Sequence, residues 1–391
     1  MAGPLHTTLW TYPWDLNASG PDTVAHRLRN DIGLDAVSLA AAYHSFEMLR
    51  PHSRDKVLLQ IPTAAIYFQP QSRLYADTAI DPHVSPLMGS TNWYGEAAAA
   101  TSKAGLELIA WTVFLHNSLL AGRHPRCAEV ACTGDISTSR LCPANPDVRA
   151  YAIAISKDLT ENYGISMLEC EGLSYGGFGH THYHVKHGVE LGAGGRFLMS
   201  LCFCPSCTNR AQGLGIDADV IRLSAEARVR IALEAGTTNL DTPEDLISSL
   251  PGLEEFVRMR DDVVSSLISE TREAIGIPVS LIIMGSRHTS GIDRKRMGTI
   301  VDRLETLSYT SDPVRTERAI SDITSDLLSP DQLIVGLQAY PPASPDHETL
   351  VANTRASYDL GIRRFSYYNF GIMPQPNLQW IKTTINAFAA P

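Results

Sequence analysis

Two carboxylates, Glu169 and Glu171, close the stretch Tyr163-Gly164-Ile165-Ser166-Met167-Leu168-Glu169-Cys170-Glu171-Gly172, which otherwise reads as a buried strand. Side chains alternate across a strand, so both acids point one way while Leu168 and Cys170 point the other. An ionised Glu among apolar neighbours is costly unless it is paired, hydrogen-bonded or protonated. The acids are therefore either a structural pair satisfied by arginines and backbone groups or a general acid/base pair, and the second is the expectation. Glu171 is the expected proton donor, its proton affinity raised by burial and by Glu169. The second group would be Glu169 itself, Asp15 or Glu305.

A second cluster is sulfur. Cys202-x-Cys204-x-x-Cys207 packs three thiols into six residues, and thiolates that close can face one zinc ion at about 2.3 Å each. Cys142, in the preceding strand-to-helix loop, is the natural fourth ligand; four thiolates close the coordination sphere, so such a zinc would be structural. The competing reading is four reduced, buried thiols without metal. His180, His182, His184 and His187 form a further set, read either as a metal site or as a solvated, substrate-binding loop. No organic cofactor is expected.

Composition limits the partners. The chain has 391 residues, 19% of them charged, with a net charge of -10 and no run of Lys or Arg. A nucleic acid or an anionic membrane is thus an unfavourable partner, and a small neutral or cationic ligand suits it better. The start lacks a basic segment followed by an apolar core, and no run reaches the roughly 18 apolar residues that span a bilayer. A soluble, cytoplasmic protein is expected, and a homo-oligomer stays open. Seven cysteines, an odd number, argue against a disulfide framework.

The elements that must position these residues alternate strand and helix eight times. Strands are expected at Thr8–Trp14, Ala36–Ala41, Leu106–Leu115, Tyr163–Gly172, Pro278–Met284, Asp302–Thr310, Gln332–Tyr340 and Arg364–Phe370. Trp10, Tyr12 and Trp14 share a face of the first, and Asp15 opens the turn after it. Helices are expected at 22–31, 95–104, 147–163, up to about 235, 251–275, 313–328 and 346–360. The pattern predicts an α/β fold, a single (β/α)8 TIM barrel over 1–391 with long βα-loop insertions at about 44–95 and 172–210. Sites in such barrels lie at the C-terminal ends of the strands, where Asp15, His116, Asn117, Glu171, Arg287, His288, Gln338, Tyr340 and Asn369 all fall.

At these residues the chain resembles clan A (β/α)8 glycoside hydrolases, most closely the family 42 β-galactosidases and hydrolase-like barrels around them. The resemblance lies in Cys142-Pro-Ala-Asn-Pro-Asp-Val-Arg-Ala-Tyr151, in a Glu ending strand four, and in Cys202-Phe-Cys204-Pro-Ser-Cys207, and covers roughly residues 107–235. It implies zinc on Cys142, Cys202, Cys204 and Cys207, an acid/base role for Glu171 or Glu169, and a small carbohydrate substrate. Trp10, Trp14, Trp111 and Tyr340 would then be platforms for sugar faces. Asn117, Gln338 and Asn369 would hydrogen-bond hydroxyls, with His116, Arg287 and His288 at the same rim. Two departures stand out: Cys170 precedes Glu171 where the family has Asn, and strand seven carries Gln338 where the family has its nucleophilic Glu. An amide cannot form a glycosyl ester, so the standard retaining mechanism is not expected. Competing functions are a sugar isomerase, epimerase or lyase using a Glu and a His, and a non-catalytic sugar-binding descendant of a hydrolase.

Overall fold

The computed structural model describes residues 4–53, 56–179, 184–236 and 241–389. Eight parallel strands form the centre: β1 His6–Thr11, β2 Ala36–Tyr43, β3 Glu107–Val113, β4 Met167–Glu171, β5 Val279–Ile282, β6 Arg303–Leu307, β7 Leu333–Gln338 and β8 Arg364–Tyr368. Each pairs with the next, and β8 pairs with β1 (Thr7 beside Phe365), while β1 pairs with β2 (Leu9 beside Val37), so the sheet closes. This is the (β/α)8 barrel that the alternation predicts.

Strands buried on both faces read as continuous apolar runs, and the closed sheet explains them. Leu9, Leu39, Ala110, Leu168, Leu281, Leu304, Val335 and Phe365 face outward into the layer between strands and helices. Trp10, Ala40, Trp111, Val113 and Ile282 face inward, above a lower layer of Ala36, Ile109, Met167 and Ile334. Each fully buried Leu in the outer layer contributes roughly 1.5–3 kcal/mol. The helix Pro146–Tyr163 shows how the sequence sets an element. Asn145 accepts from the N–H groups of Asp147 and Val148, Pro146 begins the first turn, and Gly164 ends the helix at φ 59°. Its stripe of Val148, Tyr151, Ile155 and Leu159 is buried against the barrel.

Most strands end earlier than the apolar patterns imply, while β2 runs two residues longer than expected, to Tyr43. Pro13 starts a helix, Pro13–Ser19, that ends the first strand early and removes Asp15 from the expected turn. The long excursion after β2 is not structureless: it holds the hairpin Phe46–Leu49/Leu58–Ile61 and a short strand, Ala65–Ile66, antiparallel to β2. Another hairpin, Ala128–Val130/Ile136–Leu141, rises from the loop after β3, and a last helix, Asn377–Ala387, follows β8; neither was expected. No helix among the described residues is long and apolar enough to cross a membrane.

Candidate active site

Glu169 and Glu171 do point into the barrel, as strand alternation requires, but at different heights. Trp111 lies beside Glu169 in the β3–β4 register and Val113 beside Glu171. Glu169 is 1% exposed and Glu305 is wholly buried, together in a polar middle layer. Ser38 Oγ donates to Glu169 Oε2 at 2.7 Å, and Ser366 Oγ donates to Glu305 Oε1. The two carboxyls meet each other. Glu305 Oε2 is buried without a hydrogen-bond partner, which disfavours its charged form. Burial first, then the charge of Glu305, raises Glu169 far above the usual carboxylate range. Burial raises Glu305 as well. Burial thus favours the protonated form of both acids.

Glu171 stands one rung higher. Trp111 Nε1–H donates to its Oε2 at 2.7 Å, and Trp111 is held by Trp10, stacked with ring centroids 4.8 Å apart, and by Tyr43 edge-on at 4.7 Å. Burial pushes the Glu171 carboxyl up to about 7, with the Trp111 hydrogen bond pulling it down and Glu169 pushing it up. Part of its surface opens into a cavity of about 390 Å³, within the range of roughly 300–1,000 Å³ typical of small-molecule sites. His116, Glu129, Arg140, Tyr175 and Thr289 contribute to its walls. All its lining comes from β3, β4 and the segments that follow β3, β4 and β5, at the barrel end where sites are found.

That placement sorts the remaining expected site residues. His116 borders the cavity. Asn117 is spent as a helix cap, its Oδ1 accepting from Leu120 N–H. Trp10, Trp14 and Tyr12 pack with Tyr43 and Trp111 into an aromatic block filling the β1–β2 side of the mouth, so the two tryptophans support Glu171 from behind and do not line the cavity. Asp15 is 5% exposed and pairs with Arg50 at 2.9 Å. Burial outweighs that cation and lifts its carboxyl to about 6; it too lies outside the cavity. Glu305 is sealed in the middle layer. Gln338 donates to the Tyr340 hydroxyl at 3.4 Å, and Asn369, fully buried, accepts from Gly371 N–H; none of the three reaches the cavity. Arg287 is committed to Asp261 and Asp293, and His288 sits 3.6 Å from Glu244. Their neighbours Ser286, Thr289 and Ser290 line the cavity, with Met284 and Gly285 before them.

Three charged cavity residues were not anticipated: Arg196 on the helix Gly192–Met199, and a further pair. Glu129 and Arg140 lie on the hairpin after β3, whose short strands carry no clear alternation of apolar and polar residues. An acid and an Arg in a nominal loop ordinarily read as solvated, and only the fold turns them inward.

The four cysteines do converge. Cys142, Cys202, Cys204 and Cys207 are buried with all sulfurs within 4.8 Å of one another. Cys142 Sγ lies 3.5 Å from Cys204 and Cys207 and 3.8 Å from Cys202. A tetrahedral ion with bonds of about 2.3 Å needs sulfur–sulfur edges of about 3.8 Å, so the donor set fits. Val130 N–H points at Cys202 Sγ at 3.4 Å, and the Tyr175 hydroxyl is 3.3 Å from Cys207 Sγ, the kind of outer contact that steadies thiolates. Hydrogen bonds from Cys142, Cys202 and Cys207 hold the Cys204 thiol far below its usual range. Among the histidines, His180 and His182 lie outside the described residues. His187 stacks on Phe178, and among the described residues neither it nor His184 joins a metal-ligating cluster.

A closed (β/α)8 barrel with a carboxyl-bearing cavity over its C-terminal strand ends is the class of protein these features define. No family model matches the sequence, and no curated protein does. Among solved structures, the β-galactosidase of the psychrophilic Marinomonas ef1 is similar with a TM-score of 0.58 at 12% identity, over 98% of this chain and 59% of that one. The α-L-fucosidase isoenzyme 2 of Paenibacillus thiaminolyticus is similar with a TM-score of 0.52 at 12% identity, over 98% and 49%. The chain thus spans about half to three fifths of these enzymes. The likeness is one of fold, and the architecture implied by the resemblance to clan A glycoside hydrolases is the architecture of this chain.

Proposed function

We propose that the protein is a glycoside hydrolase-type enzyme acting on a small sugar or glycoside, with Glu171 as the general acid. The observation that carries this reading is a carboxyl lifted to about 7 on the wall of a cavity at a barrel's strand ends. Such a group is about half protonated at neutrality, so it can give a proton to a leaving glycosidic oxygen. Trp111, locked by Trp10 and Tyr43, fixes the carboxyl's orientation. With Gln338 at the β7 tip no carboxylate stands there to form a covalent intermediate, which supports a non-standard mechanism.

Cys142, Cys202, Cys204 and Cys207 would hold a structural zinc, as in the family 42 enzymes that the sequence resembles. It would supply no chemistry, only a clamp between the loops after β3 and β4. All seven cysteines are unbridged, which supports work in a reducing compartment such as the cytoplasm.

A panel of aryl and natural glycosides with a reducing-sugar readout tests the reading. Turnover in the wild-type chain and its loss in Glu171→Gln, with sugar binding retained by calorimetry, is the expected result; full turnover in the variant retires Glu171. His116 on the same cavity supports a second reading, proton abstraction beside a carbonyl in a sugar isomerase. Conversion of free aldoses without glycoside cleavage would favour it.

A further inference from the structure

Hydrolysis at Glu171 requires a second group in the same cavity, and the identity of that group rests on the protein being a glycoside hydrolase. Among the described residues, two carboxylates border the cavity, Glu171 and Glu129. The acids that the sequence offered as partners do not: Glu169 and Glu305 are buried in the layer beneath, and Asp15 is paired to Arg50 outside the cavity.

Glu129 is built in, not loosely displayed. It is 4% exposed, and its Oε1 accepts from Gly176 N–H at 2.8 Å, which ties the hairpin to the loop after β4. The hairpin is fastened on both strands: Phe203 N–H donates to Val130 O at 2.8 Å, Asn117 N–H to Ser139 O and Leu141 N–H to Leu115 O at 2.9 Å. Burial raises the proton affinity of Glu129, against which Arg140, the Gly176 N–H and Arg260 favour the anion, while Cys204 adds to the rise. Arg140 shares the cavity wall and donates to Gly176 O, so the guanidinium and the carboxyl are anchored to the same residue.

We propose that Glu129 is the second catalytic carboxylate, the base that activates water against Glu171 as acid. In the step, the water oxygen bonds to the anomeric carbon and gives a proton to Glu129. The carbon–oxygen bond to the leaving group breaks with its electron pair on that oxygen, which takes the proton of Glu171. A hemiacetal and a free alcohol result, and proton exchange through solvent restores both acids. Both carboxyls face one cavity, from β4 and from the hairpin after β3. A single displacement by water inverts the anomeric carbon, so inversion is the outcome this assignment requires.

The test uses the full chain and an aryl glycoside cleaved by the wild type. Glu129→Gln keeps an acceptor for Gly176 N–H and nearly the same volume. Its kcat should fall about 10²–10⁴-fold with KM within a few-fold and the thermal transition in place. Azide should restore turnover in Glu129→Ala as a glycosyl azide of opposite anomeric configuration to the substrate. Proton NMR of the first wild-type product should show inversion, a measurement that holds even where a variant fails to fold. Wild-type kcat in Glu129→Gln alongside an inactive Glu171→Gln, or retention of configuration, overturns the assignment and leaves the glycosidase reading standing. A wild-type chain that cleaves no glycoside brings down that reading and this assignment together.

Discussion

Glu171→Gln should make the protein more stable as well as inactive, and by an amount that depends on pH. The carboxyl goes from an ordinary 4.5 to about 7 on folding, chiefly by burial. A carboxyl raised in the folded state costs nothing below the unfolded value, where both states are protonated. The penalty grows as pH rises past 4.5 and saturates above 7. At about 1.36 kcal/mol per unit, a shift of that size makes the full penalty about 3 kcal/mol. At pH 5 less than 1 kcal/mol of it is present, and by pH 8.5 nearly all is. Gln carries no charge to desolvate and still offers an oxygen to Trp111 Nε1–H. Urea unfolding of both proteins at pH 5 and pH 8.5 reads the difference directly. The variant should gain about 2.5 kcal/mol more at pH 8.5 than at pH 5. An equal gap at the two pH values, or a variant destabilised at pH 8.5, refutes the claim that this acid is held against its solvation preference.

The same contacts set three further outcomes. Replacing the buried acid pair, Glu169→Gln with Glu305→Gln, removes the charge that helps raise Glu171, so the alkaline limb of the kcat/KM profile should move to lower pH; an unmoved limb assigns the shift to burial alone. Asp15→Asn removes a carboxylate whose burial outweighs its pairing with Arg50, so stability in urea above pH 6 should not fall while glycoside turnover per folded molecule persists; loss of kcat at full stability would return Asp15 to the chemistry. Elemental analysis of purified protein should find one zinc per chain, and Cys204→Ser should lose it and lower the thermal transition; an unchanged transition in that variant means the thiols act without metal.

The barrel was legible because its strands carry two superposed signals. Apolar runs such as Val37–Ala42, broken only by Ser38, mark burial on both faces, and the spacing between runs leaves one helix for each. Boundaries were less so, since apolarity outlasts pairing: Leu115 and Met284 are apolar and buried or half-buried, yet lie beyond the last ladder residues of β3 and β5. Pro13 overrides the aromatic run of the first strand because its fixed φ suits a helix start, and that single residue relocates Asp15. The sulfur cluster was legible too, as three of its members are close in sequence and need little tertiary information to meet.

The cavity is a different matter, because it is asymmetric. A symmetric barrel would distribute its site over all eight strand tips, and equal weight for Gln338, Tyr340, Asn369 and Trp10 would then be right. Here the β1–β2 side is filled by stacked aromatics, Trp14 on Tyr12 and Trp10 on Trp111, and the opening shifts over β3 to β5. Which side fills depends on side-chain volumes from four separate segments meeting in space, and no local pattern encodes it. The hairpin that walls the opening is likewise set from afar. Val130 bonds Phe203 and faces Cys202, and Cys142 follows the hairpin's second strand directly. The four thiols therefore fix the element that carries Glu129 and Arg140. A clamp that looks purely structural thus stands one residue from the carboxyl opposite Glu171, and loosening it should disturb the cavity wall before it disturbs the barrel.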